Sequence, residues 1–153
     1  MNVIGFRHTG LIVEDLEKSL VFYKNFLKLE VIQVNFDDSA YISEITGVNN
    51  LKAKYAKLSV PGGTVIELLT YPSHPENRVE RKVYQPGEAH LAFQVESIDS
   101  AFEAVVSKNI KYLSKPVLSS EKIAKVFFAL DPDGYRIEFV EMLTDDYVWE
   151  IDE

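Results

Sequence analysis

Apolar and polar positions alternate along this chain in two similar runs of strands, each interrupted by one helix. From Val3 to Val13 the alternation predicts a strand, with Phe6, His8, Gly10 and Ile12 on one face and Thr9, Leu11 and Val13 on the other. Glu14 and Asp15 then open a helix, where acidic residues complement the positive end of the dipole. Leu16, Leu20, Tyr23 and Leu27 recur at helical spacing, widened by Phe22 and Phe26, and read as a stripe packed on a sheet. Glu30 to Phe36 predicts a second strand, and Asp37 to Asn50 a polar connection. Ala53 to Val60 and Val65 to Tyr71 form a hairpin around Pro61-Gly62-Gly63. After a linker rich in prolines and charges, the order resumes. Ala89 to Val95 is a strand, Ser97 caps a helix running to about Lys108, and Lys111 to Leu118 and Lys125 to Leu130 are strands. A last strand follows the tight turn of Pro132, Asp133 and Gly134.

The two runs are copies. Pro61, Gly63, Ile66 and Glu67 fall 71 positions before Pro132, Gly134, Ile137 and Glu138, while His8, Val13, Glu14 and Leu16 precede His90, Val95, Glu96 and Ile98 by 82 positions. Each copy carries a His on its first strand and a Glu on its last. Glu67 and Glu138 have apolar neighbours on both sides, where a charge is costly unless it is paired or bound to a metal. From 8 to 67 the His-to-Glu interval is 59 residues, and from 90 to 138 it is 48, so about eleven extra residues lie in the first copy. They fall in the Asp37 to Asn50 connection, a lid, a binding loop or a plain surface excursion, in which Glu44 and Asp38 are the carboxylates able to reach a site.

Length and composition bound the rest. The 153 residues, 46% of them hydrophobic, suffice for one well-cored domain or two half-domains. The reading is a single domain over 1–153, with module one at 3–72, a linker at 73–87, module two at 88–143 and an acidic tail at 144–153. There are no cysteines, hence no disulfide framework and no thiolate metal site, and a reducing cytoplasmic location is expected. No stretch approaches a membrane span. A net charge of −8 argues against nucleic acid or anionic membrane as partner. An anionic small molecule would need a local basic patch; Arg78, Arg81 and Lys82 in the linker form the main one and are the candidate substrate contacts with Glu44. His74, between prolines, reads as exposed.

Two such modules side by side would gather His8, Glu67, His90 and Glu138. Imidazole nitrogen and carboxylate oxygen are the ligands of a divalent first-row ion that still holds water, and without thiolates an open site is expected rather than a closed structural one. The motifs HTGLIVEDLEKSLVFYKNFL, PGGTVIELL, HLAFQVESID and DPDGYRIEFVE carry a resemblance to the vicinal oxygen chelate superfamily, the glyoxalase, bleomycin-resistance and dioxygenase group, from about Val3 to Glu141. The resemblance implies an α+β fold of two tandem βαβββ modules forming a cupped mixed sheet around one divalent ion: nickel, zinc, cobalt or manganese. His8, Glu67, His90 and Glu138 fall on the four ligand positions.

That ligand set is similar to bacterial-type glyoxalase I, which isomerises the hemithioacetal of an α-oxoaldehyde and a thiol. The expected activity is thus a metal-dependent lyase or isomerase acting through an enediolate, with Glu138 as base and Glu67 as its pseudo-symmetric partner. The related methylmalonyl-CoA epimerase is the second reading, with Glu44 as a possible match to its other acid/base group; Gln is common there in place of Glu67. An extradiol-type dioxygenase would use two His and one carboxylate, so a fourth ligand argues against it. Drug-sequestering proteins of the bleomycin-resistance type generally lack the metal set. A homodimer is expected from the family habit.

Overall fold

The structure, a computed structural model, describes residues 1–76, 79–80 and 82–144. The chain divides into two compact units between Val79 and Glu80. Each runs strand, helix and three strands, the first with a further short helix between its second and third strands, and the fold is α+β. Among the described residues no helix is long and apolar enough to cross a membrane.

In the first unit, β1 (Thr9–Ile12), β2 (Glu30–Asp37), β3 (Ala53–Val60) and β4 (Thr64–Thr70) form one sheet in the order β1-β4-β3-β2. The turn at Gly62 and Gly63, with φ of 95° and 93°, demands glycine and fixes the register of the hairpin. That register sets Lys57 opposite Glu67, while β1 runs parallel to β4 with Gly10 opposite Glu67. On the other sheet face, Leu11, Ala56, Leu58, Ile66 and Leu68 are buried with Leu16, Phe22 and Tyr23 of the helical segment. Asp15 caps that segment, its Oδ1 accepting from the backbone of Glu17 and Lys18.

The second unit repeats the plan, with β5 (His90–Gln94), β6 (Val117–Leu118), β7 (Ala124–Leu130) and β8 (Arg136–Met142) in the order β5-β8-β7-β6. Its core is Ile98 and Val105 of α3 (Ile98–Ser107) with Phe127, Ala129, Ile137 and Phe139. Phe127 stacks on Phe139, ring centres 5.0 Å apart, and Phe102 meets Phe127 edge-on. Asp131 is buried and its Oδ1 accepts from the Tyr135 backbone at 2.7 Å, closing the turn that launches β8.

Four expectations are corrected. The first strand covers only Thr9–Ile12 rather than Val3 to Val13, because Thr9 pairs with Ile66 and β4 starts just before it, at Thr64; Val3, Ile4 and Phe6 are exposed. The first helix is α only over Leu16–Leu20 (α1) and continues as a π-helical turn, Val21–Phe26, with the Leu27 amide donating to Phe22. Asp37 to Asn50 is not an irregular loop but contains α2 (Ala40–Thr46), since Ile42 is buried against Leu51, Ala53 and Tyr71 and Gly47 ends the helix at a φ of 71°. Lys111 to Leu118 pairs only at Val117–Leu118 and at a bridge from Tyr112 to Ala129, since Pro116 lies between and has no amide to donate.

Candidate functional site

In the first unit, His8 precedes β1 by one residue and shares a sheet face with Gly10, which lies opposite Glu67. His8 Nε2 stands 3.3 Å from Glu67 Oε2. The other oxygen is taken separately. Lys57, opposite Glu67 on β3, brings its Nζ to 3.4 Å from Oε1. The lysine is held in turn, its ammonium 5.2 Å from the centre of the Tyr55 ring, whose hydroxyl accepts from Asn35 Nδ2 at 3.1 Å. Glu67 and Lys57 are largely buried, with side chains 13% and 24% exposed. Tyr71 follows on the same face; burial first and the Glu67 charge second push its hydroxyl above the ordinary value of 10.0.

The second unit makes the same pair from the same strands. His90 Nε2 lies 3.0 Å from Glu138 Oε2, with Ala92 opposite Glu138 where the first unit has Gly10. A small residue two places after each His is the common feature. The surroundings differ. The residue opposite Glu138 on β7 is Phe128, whose ring meets His90 edge-to-face at 5.5 Å. Arg136, two places before Glu138, pairs with Glu88.

These pairs fit a metal in two respects. Imidazole nitrogen and carboxylate oxygen are the donors a first-row divalent ion takes. At metal–ligand distances of about 2.1 Å, neighbouring donors stand about 3.0 Å apart in an octahedron and about 3.4 Å apart in a tetrahedron; the two pairs, at 3.3 and 3.0 Å, lie within that range, which is also that of a direct His–Glu ion pair. Among the described residues, no group of three or more His, Asp or Glu side chains is gathered.

Of the other predicted contacts, Glu44 lies exposed on α2, and Arg78 and Arg81 fall outside the described residues, as does the tail from 145 onward. His74 is exposed, as expected. Sequence reasoning missed Lys57. Its signal was the hairpin itself: pairing outward from Val60 and Thr64 sets 57 opposite 67. It also missed the Glu88–Arg136 pair, whose signal is their two-residue offset from His90 and Glu138.

The family model for the Glyoxalase/Bleomycin resistance protein/Dioxygenase superfamily matches residues 5–139. The chain is 33% identical over 138 residues to the protein YwkD of Bacillus subtilis, covering 90% of this chain and 96% of that one. It is 31% identical over 143 residues to the lactoylglutathione lyase of Salmonella typhimurium, covering 88% and 90%. Among solved structures, a glyoxalase family protein from Bacillus cereus superposes with a TM-score of 0.84 at 19% identity, over 94% of this chain and 97% of the other.

Proposed function

From the premise that the chain belongs to the Glyoxalase/Bleomycin resistance protein/Dioxygenase superfamily, we propose that it is a metal-dependent lyase or isomerase of small molecules, glyoxalase I-like, acting on the hemithioacetal of an α-oxoaldehyde and a thiol. The observation that carries the reading is the recurrence of one His–Glu pair at matching places in both units, at 3.3 and 3.0 Å. His8, Glu67, His90 and Glu138 are the residues that would hold a divalent ion, nickel, zinc, cobalt or manganese. That ion would supply Lewis-acid stabilisation of negative charge on the substrate's oxygen.

The chain's own residues do the rest. Glu138 takes the proton from the carbon bearing the sulfur as the C–H electron pair forms the C=C bond of the enediolate and the carbonyl π pair moves to its oxygen. It then returns the proton to the neighbouring carbon while the hydroxyl proton passes to that oxygen and the freed oxygen pair forms the thioester carbonyl, so that no atom is gained or lost. His90 orients Glu138, and Phe128 places an aromatic ring beside the pair. Glu67 is the matching carboxylate of the first unit. The enzyme is proposed to work as a homodimer in the cytoplasm.

The test is metal content by elemental analysis of the purified protein and of His8→Ala, Glu67→Ala, His90→Ala and Glu138→Ala, followed by assay of the methylglyoxal–glutathione hemithioacetal with each ion. One ion per site in the parent, lost in the variants, together with turnover, is the expected result. Metal retained by all four variants would remove the ligand assignment.

A further inference from the structure

Glu67 is held from two sides by chemically different partners. His8 addresses Oε2 and Lys57 addresses Oε1, and Lys57 is itself fixed over Tyr55. An ion taken up by His8 Nε2 and Glu67 Oε2 would therefore stand one carboxylate away from a largely buried ammonium. Two imidazoles, two carboxylates and a divalent ion sum to zero charge. Lys57 raises that sum to plus one. Among the described residues the second unit has no matching addition, for Phe128 occupies the equivalent place and Arg136 is paired with Glu88.

We propose that Lys57 is a specificity-determining cation of the site, one that weakens metal binding and leaves the loaded site positively charged, selecting ligands that chelate the ion as monoanions. The inference rests on the metal-dependent reading above and adds the residue that sets the charge of the loaded site, Lys57. Its physical basis is that like charges repel strongly where water is scarce, so a fixed ammonium disfavours the bare ion. The same ammonium favours any charge pattern that is negative at the ion, as an enediolate is. Without metal, Lys57 compensates Glu67, which would otherwise be a poorly solvated carboxylate. Removing Lys57 thus raises the free energy of the empty site and lowers that of the loaded one.

The experiment measures two affinities that should move in opposite directions. Co(II) binding to the full-length protein is titrated by calorimetry, and acetohydroxamate, a chelating monoanion, is then titrated into the cobalt-loaded protein by visible absorbance. Lys57→Met should bind Co(II) on the order of tenfold more tightly and acetohydroxamate on the order of tenfold more weakly. Lys57→Arg, keeping the charge, should stay close to the parent in both. Lys57→Gln serves in place of the methionine variant if circular dichroism shows that one unfolded. Unchanged affinities, or two that fall together, would overturn the role of Lys57 while leaving the metal reading intact. Failure of the parent to take up Co(II) would overturn the metal reading and the role of Lys57 with it.

Discussion

Glu67 and Glu138 stand at equivalent places in two copies of one unit, yet one faces a lysine across the sheet and the other a phenylalanine. The first is clamped, with a partner on each oxygen. The second meets His90 through Oε2 beside an aromatic wall. The backbone plan that makes the pair is the same in both: a His at or just before the first strand, a small residue two places on, and a Glu opposite that small residue. What differs is the side chain contributed by the neighbouring antiparallel strand. The difference teaches that the pair and its electrical environment are set by separate strands, so one can vary while the other is kept. A clamped carboxylate suits a fixed ligand, whereas one with fewer ties suits a group that must reach a proton.

The largest test of this contrast is to neutralise each carboxylate. Glu138→Gln should lower turnover of the hemithioacetal by about a hundredfold to ten-thousandfold, the range for a lost general base. Glu67→Gln should act chiefly through loss of metal, so that added cobalt restores part of its rate. Equal losses, with equal response to added metal, would make the two glutamates interchangeable and break the contrast.

Next come the cores beneath the two sites. Phe127→Ala, which removes a fully buried ring stacked on Phe139, should cost about 3–5 kcal/mol in urea unfolding, and Leu58→Ala about 2–5 kcal/mol. Two separate transitions in either variant would mean that the units unfold apart, and one transition that they unfold as one. A sharper exchange moves the clamp itself. Phe128→Lys places an ammonium opposite Glu138 and should weaken Co(II) binding on the order of tenfold; unchanged affinity would show that the residue opposite the Glu does not set the charge.

Smaller effects are expected at the helix starts. Asp15 accepts two amide hydrogen bonds and Ser97 one, so Asp15→Ala should cost about 1 kcal/mol and Ser97→Ala somewhat less by thermal or urea unfolding. The smallest effect is alkaline. Below about pH 10 Tyr71 holds its proton in both folded and unfolded chains. Above that value the unfolded chain releases it first, because the folded-state value is raised, and stability falls until the folded Tyr71 ionises too. Tyr71→Phe should remove this contribution from the alkaline limb of the stability curve. The second unit carries Met142 at the equivalent place and should show no counterpart.

Much of this arrangement is legible from residue spacing alone. The hairpin around Pro61 to Gly63 and the helix capped by Ser97 lie where alternation and capping chemistry put them, because those signals are local. So is the His–Glu repeat, since the residues around each His recur at an offset of 82 positions and those around each Glu at 71. α2 escaped because its case rests on Ile42 meeting Leu51, Ala53 and Tyr71, contacts made across the chain rather than along it. The first strand was overextended because alternation continues to Val3 while its pairing partner does not. Lys57 was readable but unread: the turn fixes which residues face each other, and only counting across it reveals the clamp.

The parallel pairing of β1 with β4 and of β5 with β8 has a consequence for how the protein is made. Each His meets its Glu only when the first strand of a unit is joined by the last, across 59 residues in one unit and 48 in the other. The difference in closure entropy is slight, about 0.2 kcal/mol, so the insertion holding α2 hardly delays the first unit. The long reach itself matters more, for contacts this distant along the chain form late in folding. On a ribosome, His8 emerges long before Glu67, and a half-made unit presents an imidazole without its carboxylate. Formation of each His–Glu pair is therefore reserved for units that have finished folding.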